Sequence, residues 1–288
     1  MNNIIFSTCS QGLIYAILAL GVYITFRILN FADMTAEGSL TLGGGVCAVL
    51  ISHGVSPALS LLVAGLVGSL AGLITGFFNT KLKIQDILAG ILTMIALYSI
   101  NLRIMGKANI SLLGKITVFK NSNIFNFNVC LIICAILLII MNLFFKTEIG
   151  LAIRATGDNP QMAKAQGINT NFNKILALMI SNSLCAVSGA LLTQNNGYAD
   201  VNMGTGVIVI ALSSIVIGEA FVKKSSFLFK LVAVIFGSIC YKFIIYFVLN
   251  IGMNPSDLKL FTALVAAILL GVPSVRNNFK FKGARKNA

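Results

Sequence analysis

Runs of about twenty apolar residues, separated by short polar turns, recur along the whole chain, and this constrains the fold more than any motif does. A backbone inside hydrocarbon must satisfy its own N–H and C=O groups, so such runs are helices. The runs cover residues 4–29, 30–52, 56–80, 86–105, 127–145, 172–194, 204–221, 227–249 and 256–272. The expected fold is therefore all-α: a polytopic transmembrane helical bundle of about nine spans, with eight or ten allowed if the Gly43 region is re-entrant or an extra short helix precedes the first span. Charged residues make up only 10% of the 288 residues, where a soluble domain carries about 25%. A single membrane domain over residues 1–275, followed by a basic tail at 276–288, accounts for the length.

Charge placement sets an orientation. The net charge of +13 would suit a nucleic-acid partner if it were clustered on one face. Instead the basic residues sit at span ends and in the tail, which matches the positive-inside pattern of membrane proteins. Nucleic acid is excluded as a partner on that ground. Arg27, Lys81, Lys83, Lys146, Arg154 and Lys174 then mark cytoplasmic turns, while Arg103, Lys107 and Lys115 are external. The N-terminus has no basic region ahead of its apolar run, so no cleavable signal peptide is expected.

Catalytic and metal chemistry find little support. His53 is the only histidine, and the six cysteines (Cys9, Cys47, Cys130, Cys134, Cys185 and Cys240) lie inside apolar runs with no CxxC pair. They read as buried thiols. No carboxylates cluster as an enzyme would need, and no GxxxxGK[ST] phosphate loop is present.

Two stretches stand out as candidate sites. In NFADMTAEGSLTLGGGV, the polar residues Asn30, Asp33 and Glu37 lead straight into an apolar helix. Acidic groups at membrane depth are costly and usually face a cavity or a protein partner. The alternative is that Asp33 and Glu37 cap a helix at the interface. Asn182 within the sixth span, and Gln194 and Asn195 at its far end, read either as hydrogen-bonding links between helices or as the lining of a translocation path. Phe31-Ala32-Asp33-Met34 is echoed by Tyr198-Ala199-Asp200-Val201, on the opposite side in this topology, as in an inverted repeat.

The second stretch, residues 148–171, is the longest polar interruption. Asp158 and Asn159 are good N-cap types, Pro160 suits the first helical position, and Gly167 can close a short helix over 161–166 in a left-handed conformation. The segment GLAIRATGDNPQMAKAQGIN, followed by KILALMISNSLCAVSGALLTQ, resembles the cytoplasmic coupling loop of ATP-binding-cassette (ABC) importer permeases. It is most similar to the branched-chain amino acid and ribose permease superfamily, within it to permeases linked to tryptophan or other aromatic amino acids.

That resemblance implies a type II-importer-like bundle in a bacterial plasma membrane. It implies that Gly150, Arg154, Asp158, Asn159, Pro160, Met162, Ala163, Ala165 and Gly167 form a surface that docks into a separate ABC ATPase, with the small residues of the 160–166 helix facing that partner. It also places the Asn30–Glu37 stretch against the pore, as an interrupted helix. The further expected partners are an extracytoplasmic binding protein that delivers the substrate and a second, identical permease subunit. No cofactor is expected in this chain, since ATP and Mg²⁺ would belong to the ATPase. The same importer class with a sugar or nucleoside substrate, and a stand-alone secondary transporter, are the competing functions. The latter would want more ionisable groups within the spans than Asp33, Glu37, Glu219 and Lys242.

Overall fold

The computed structural model describes residues 2–119, 122–222, 226–250, 260–265 and 267. Among the described residues, helices and two short strands follow in the order α1 (Asn2–Tyr23), α2 (Thr35–Ser52), α3 (Pro57–Thr80), α4 (Asp86–Met105), β1 (Asn109–Ser111), α5 (Asn123–Phe144), α6 (Glu148–Asp158), α7 (Pro160–Ala165), α8 (Thr170–Asn196), β2 (Tyr198–Asp200), α9 (Val207–Phe221) and α10 (Phe227–Asn250). Seven of the described helices are long and apolar enough to cross a membrane by length and composition. The expected spans map onto these seven and onto α9. The ninth, at 256–272, lies mostly outside the described residues, as does the basic tail.

Helix ends follow local chemistry. Pro57 occupies the first turn of α3, where its missing N–H costs nothing. Asn169 caps α8 by accepting the Phe172 N–H at 3.2 Å, and Gly197, at φ 76°, closes it. The apolar side chains Leu62, Leu66, Ile140, Leu143, Phe229 and Phe247 point outward. So extensive an apolar exterior suits hydrocarbon rather than water.

Helix α8 is the axis of the bundle, packed against α1, α2, α3 and α6. Two kinds of contact hold it there. Small residues allow close approach: a Cβ added at Gly72 of α3 would collide with the Leu178 carbonyl, so the Gly68/Gly72/Gly76 stripe is a packing seam. Buried hydroxyls then cross-link the helices. Ser181 Oγ donates to Gly21 O at 2.8 Å, and Ser188 Oγ to Ile14 O at 2.8 Å. Ser238 Oγ donates to Gly12 O at 2.9 Å and ties α10 to α1. Each such bond between spans is worth about 0.6 kcal/mol.

The four-residue echo in the sequence marks a structural repeat. In the first copy, a long helix (α1) breaks over 29–34 and is followed by α2 and then α3. In the second, a long helix (α8) ends in β2 and a turn and is followed by α9 and then α10. The matching aspartates do the same work. Asp33 Oδ1 accepts the Thr35 N–H at 2.9 Å, and Asp200 Oδ1 accepts the Asn202 N–H at 2.7 Å. The starts of α2 and α9 meet, since the Gly206 N–H donates to Glu37 Oε1 at 2.9 Å. From there α2 runs to the end that carries β1 and β2, where Lys115 reaches the Ser52 carbonyl at 3.5 Å. Helix α9 runs to the opposite end, where Glu219 pairs with Arg27. The two copies are thus inverted. This also explains why α9 has only 15 residues: at 1.5 Å per residue it covers about 22 Å, short of the ~30 Å hydrocarbon core, because it starts part-way through.

The connection that follows α4 supplies β1. It pairs antiparallel with β2, Ile110 opposite Ala199. This two-stranded clasp closes over the far end of the bundle.

Candidate functional site

The polar stretch 148–171 forms two helices before α8 begins, where the sequence suggests one. The first, α6, has Thr147 as its N-cap, which accepts the Gly150 N–H at 3.3 Å. Asn159 then caps α7, its Oδ1 accepting the N–H groups of Gln161 and Met162 at 3.1 and 3.0 Å. Pro160 sits in the first turn. Asp158 is the last residue of α6, so of the two N-cap candidates Asn159 alone serves. Gly167, at φ 81°, closes α7 with a paired C-terminal motif: Ile168 N–H to Ala163 O at 3.1 Å and Gly167 N–H to Lys164 O at 3.0 Å.

Three small residues of this pair, Gly150, Gly157 and Ala163, face inward. Ala163 is 2% exposed within its own chain, so it seats α7 on the bundle and is not a partner-facing residue. The reason is the pitch of a short helix: with Ala163 turned to the core, Gln161, Met162, Lys164 and Ala165 turn out. Met162, 61% exposed, is the large apolar residue on the outer face. Gly150 and Gly157 are packing positions. A Cβ on Gly150 would collide with the Phe144 carbonyl, and one on Gly157 with the Ile28 carbonyl. Arg154 is exposed but lies over the Phe227 ring at 5.3 Å, which seats α6 on the start of α10.

Through Gly157 the α6–α7 pair is joined to the break between α1 and α2. The end of that first long helix, Ile24–Ile28, is π-helical, a rare geometry that recurs at functional positions. Leu29 and Phe31 N–H groups reach back to Ile24 O and Thr25 O, both at 2.9 Å. Asn30 then takes φ 54°, a left-handed conformation asparagine tolerates better than most residues. Its side chain donates to Gly157 O at 3.0 Å. Asn30 is therefore a link to α6.

Beyond Asn30 the polar groups of the break divide. Asp33 is 1% and Asn182 0% exposed, and they bond to each other: Asn182 Nδ2 donates to Asp33 Oδ2 at 2.8 Å and to Leu178 O at 3.0 Å. Asn182 Oδ1 accepts the Ser39 hydroxyl at 2.7 Å. Thr35 and Thr75 hydroxyls meet at 2.8 Å beside them. This knot joins α2, α3 and α8, and both residues are occupied in it.

Glu37, one turn further on, faces a cavity of about 270 Å³ with Gly38, Thr41, Met94, Tyr98, Asn101 and Thr205 among its lining. The cavity lies where the two inverted copies meet, walled by α2, α4 and the turn before α9. Of the path residues named from sequence, the structure puts Glu37 on it. Gln194 is buried and bonds Val118 N–H, the Cys47 sulfur and Pro57 O. Gln194 and Asn195 line a separate cavity of about 730 Å³ under the β1–β2 clasp. Sequence reasoning missed Tyr98, Asn101 and Thr205. Asn101 carried a signal, as one of the few polar side chains within an apolar run.

A profile described as "Branched-chain amino acid transport system / permease component" matches residues 4–273. The chain is 45% identical to the tyrosine transport system permease protein of Clostridioides difficile (strain R20291), covering 99% of this chain and 96% of that one. It is 30% identical to a probable branched-chain amino acid transport permease protein, LivH, of Methanocaldococcus jannaschii, over 70% of this chain and 69% of that one. Among solved structures, PsaBC from Streptococcus pneumoniae in complex with Fab has a similar fold, with TM-score 0.53 and 18% identity, covering 93% of this chain and 90% of that one.

Proposed function

The chain belongs to the family of permease components of branched-chain amino acid transport systems, and from that premise we propose that it is the membrane subunit of an ABC importer for an aromatic amino acid. The observation that carries the transport reading is the join between α6–α7 and the break at Asn30. A capped, outward-facing helix is fixed, through Gly157 and Asn30, to the point where the first long helix is interrupted. A partner that pulls on α7 therefore moves the break itself.

In this reading the α6–α7 end is cytoplasmic. The described basic residues Arg27, Lys81, Lys83, Lys146, Lys164 and Lys174 belong to that end, whereas Arg103, Lys107 and Lys115 belong to the clasp end. An ATPase chain receives Met162 and its exposed neighbours, and ATP with Mg²⁺ is bound and hydrolysed there. Two copies of the permease enclose the path, and an extracytoplasmic binding protein docks on the clasp end. ATP-driven movement of α6–α7 shifts the π-helical turn and the Asp33–Asn182 knot. The α2–α9 junction at Glu37, the next contact along α2, then opens or closes.

The name of the C. difficile relative supports tyrosine as substrate. The test is uptake of labelled tyrosine and tryptophan by cells with and without this gene. Loss of uptake of either supports the assignment. Unchanged uptake of both, with loss of a sugar or nucleoside instead, overturns the substrate while keeping the importer.

A further inference from the structure

The cavity at the α2–α9 junction is lined by Asn101, whose side-chain acceptor is unpaired. Asn101 is 2% exposed. Its Nδ2 donates to Gly38 O at 3.3 Å, but its Oδ1 is buried with no partner among the described residues. A buried acceptor left unpaired is costly and rarely kept without a reason. On the same cavity, Glu37 offers a carboxylate.

Broken helices in transporters commonly present their positive N-termini to anionic groups of the substrate. Here a carboxylate of the chain already stands at each such end. Asp33 caps the start of α2, and Glu37 accepts from Gly206 at the start of α9. The acceptors that Glu37 and Asn101 bring to the lining call for a donor or a cation. Met94, Ile95, Tyr98 and Val201 supply an apolar wall.

We propose that this cavity is a transit subsite that reads the ammonium group of the amino acid, held between the Glu37 carboxylate and Asn101 Oδ1, with the side chain against Tyr98. The proposal rests on the importer reading above. It makes the ammonium, rather than the carboxylate, the group that the membrane subunit itself selects.

The test uses the full-length permease in nanodiscs carrying Thr205→Cys at the cavity rim. The rate of modification by a thiol reagent is measured with tyrosine, tyramine or 4-hydroxyphenylpropionate added up to the solubility limit. Tyrosine and tyramine, which keep the ammonium, slow modification severalfold; the deaminated acid does not. Glu37→Gln retains an acceptor for Gly206 but loses the charge, and it shifts the protecting concentration of tyramine upward by about tenfold. Asn101→Leu, which preserves bulk, does the same. Protection by the deaminated acid equal to that by tyrosine, protection unaffected by Glu37→Gln, or no protection by any of the three overturns the proposal. The uptake experiment separates this from the parent reading. If uptake requires the gene but protection ignores the ammonium, the importer stands and the subsite falls.

Discussion

Met162→Asp and Ala163→Asp are adjacent substitutions for which the structure demands opposite outcomes. Fully burying a methionine side chain is worth about 1.5–3 kcal/mol. Met162 is 61% exposed in the permease alone, so docking against a partner has about 1–2 kcal/mol still to gain from it. An aspartate there loses that gain and must be desolvated in the contact, which adds at least another ~1 kcal/mol. Association with the ATPase should therefore weaken by about thirtyfold or more, since each 1.4 kcal/mol is tenfold. The isolated permease should be unaffected, within about 0.5 kcal/mol for an exposed site. Ala163→Asp instead drives a charge into the seat of α7, at 2% exposure, and costs the fold several kcal/mol. The assays are thermal melting of the permease in detergent and pull-down of the ATPase with transport-coupled ATP hydrolysis in liposomes. Met162→Asp should melt normally and fail to couple; Ala163→Asp should melt early. Normal pull-down and coupling by Met162→Asp would refute the docking argument.

The same contacts yield three more tests. Gly157→Val forces a side chain into the Ile28 carbonyl. It should leave the expression of the spans intact but uncouple ATP hydrolysis from transport, read in the same liposomes. A single cysteine at the exposed Gln161 should react with an impermeant thiol reagent only in permeabilised cells, and one at Leu113, 88% exposed, in intact cells; the reverse pattern would invert the topology. Asn182→Leu strips partners from Asp33, Ser39 and Leu178 and should destabilise the bundle by about 3 kcal/mol, a buried polar group being left unpaired; an unchanged melting temperature would contradict the knot.

Long elements were legible because burial in hydrocarbon leaves only one way to satisfy the backbone. The fourth run, 86–105, coincides with α4 residue for residue, and Asn159, Pro160 and Gly167 behave as their chemistry requires. What failed was side-chain direction within short pieces. Smallness at Ala163 reads equally as a surface kept clear for a partner and as a fit against the same chain, and only the packing of α7 within the chain decides between them. Helix α6 was hidden because its N-cap, Thr147, follows so soon on the end of α5. The cavity was illegible for another reason. Glu37, Asn101 and Thr205 are far apart in sequence, and it is the inversion of the repeat, hinted at by Asp33 and Asp200, that gathers them.

Asp33 offers a way to separate an ATP-driven importer from a transporter powered by ion or proton movement. It is a fully buried carboxylate within the bundle, which is where a proton relay would be expected. Its geometry says otherwise, because both oxygens are engaged, one by the Thr35 N–H and the other by Asn182 Nδ2. Asp33→Asn keeps the carbonyl acceptor that caps α2. Its new amide N–H group faces the Asn182 amide, which can flip so that its oxygen accepts. The flipped Nδ2 then donates to the Ser39 hydroxyl, and the bond to Leu178 O is lost. The flip also sets the Asn182 oxygen against Leu178 O and takes the acceptor from the Ser39 proton, so the cost is about 2 kcal/mol. A structural clasp should survive that, with uptake within about threefold of the parent at saturating substrate and a small drop in melting temperature. A group that must gain and lose a proton in each cycle cannot be replaced by an amide at all. Uptake reduced a hundredfold by Asp33→Asn, with normal melting and normal ATPase pull-down, would mean that the carboxylate carries charge through the cycle, and the purely mechanical role given to the knot would be wrong.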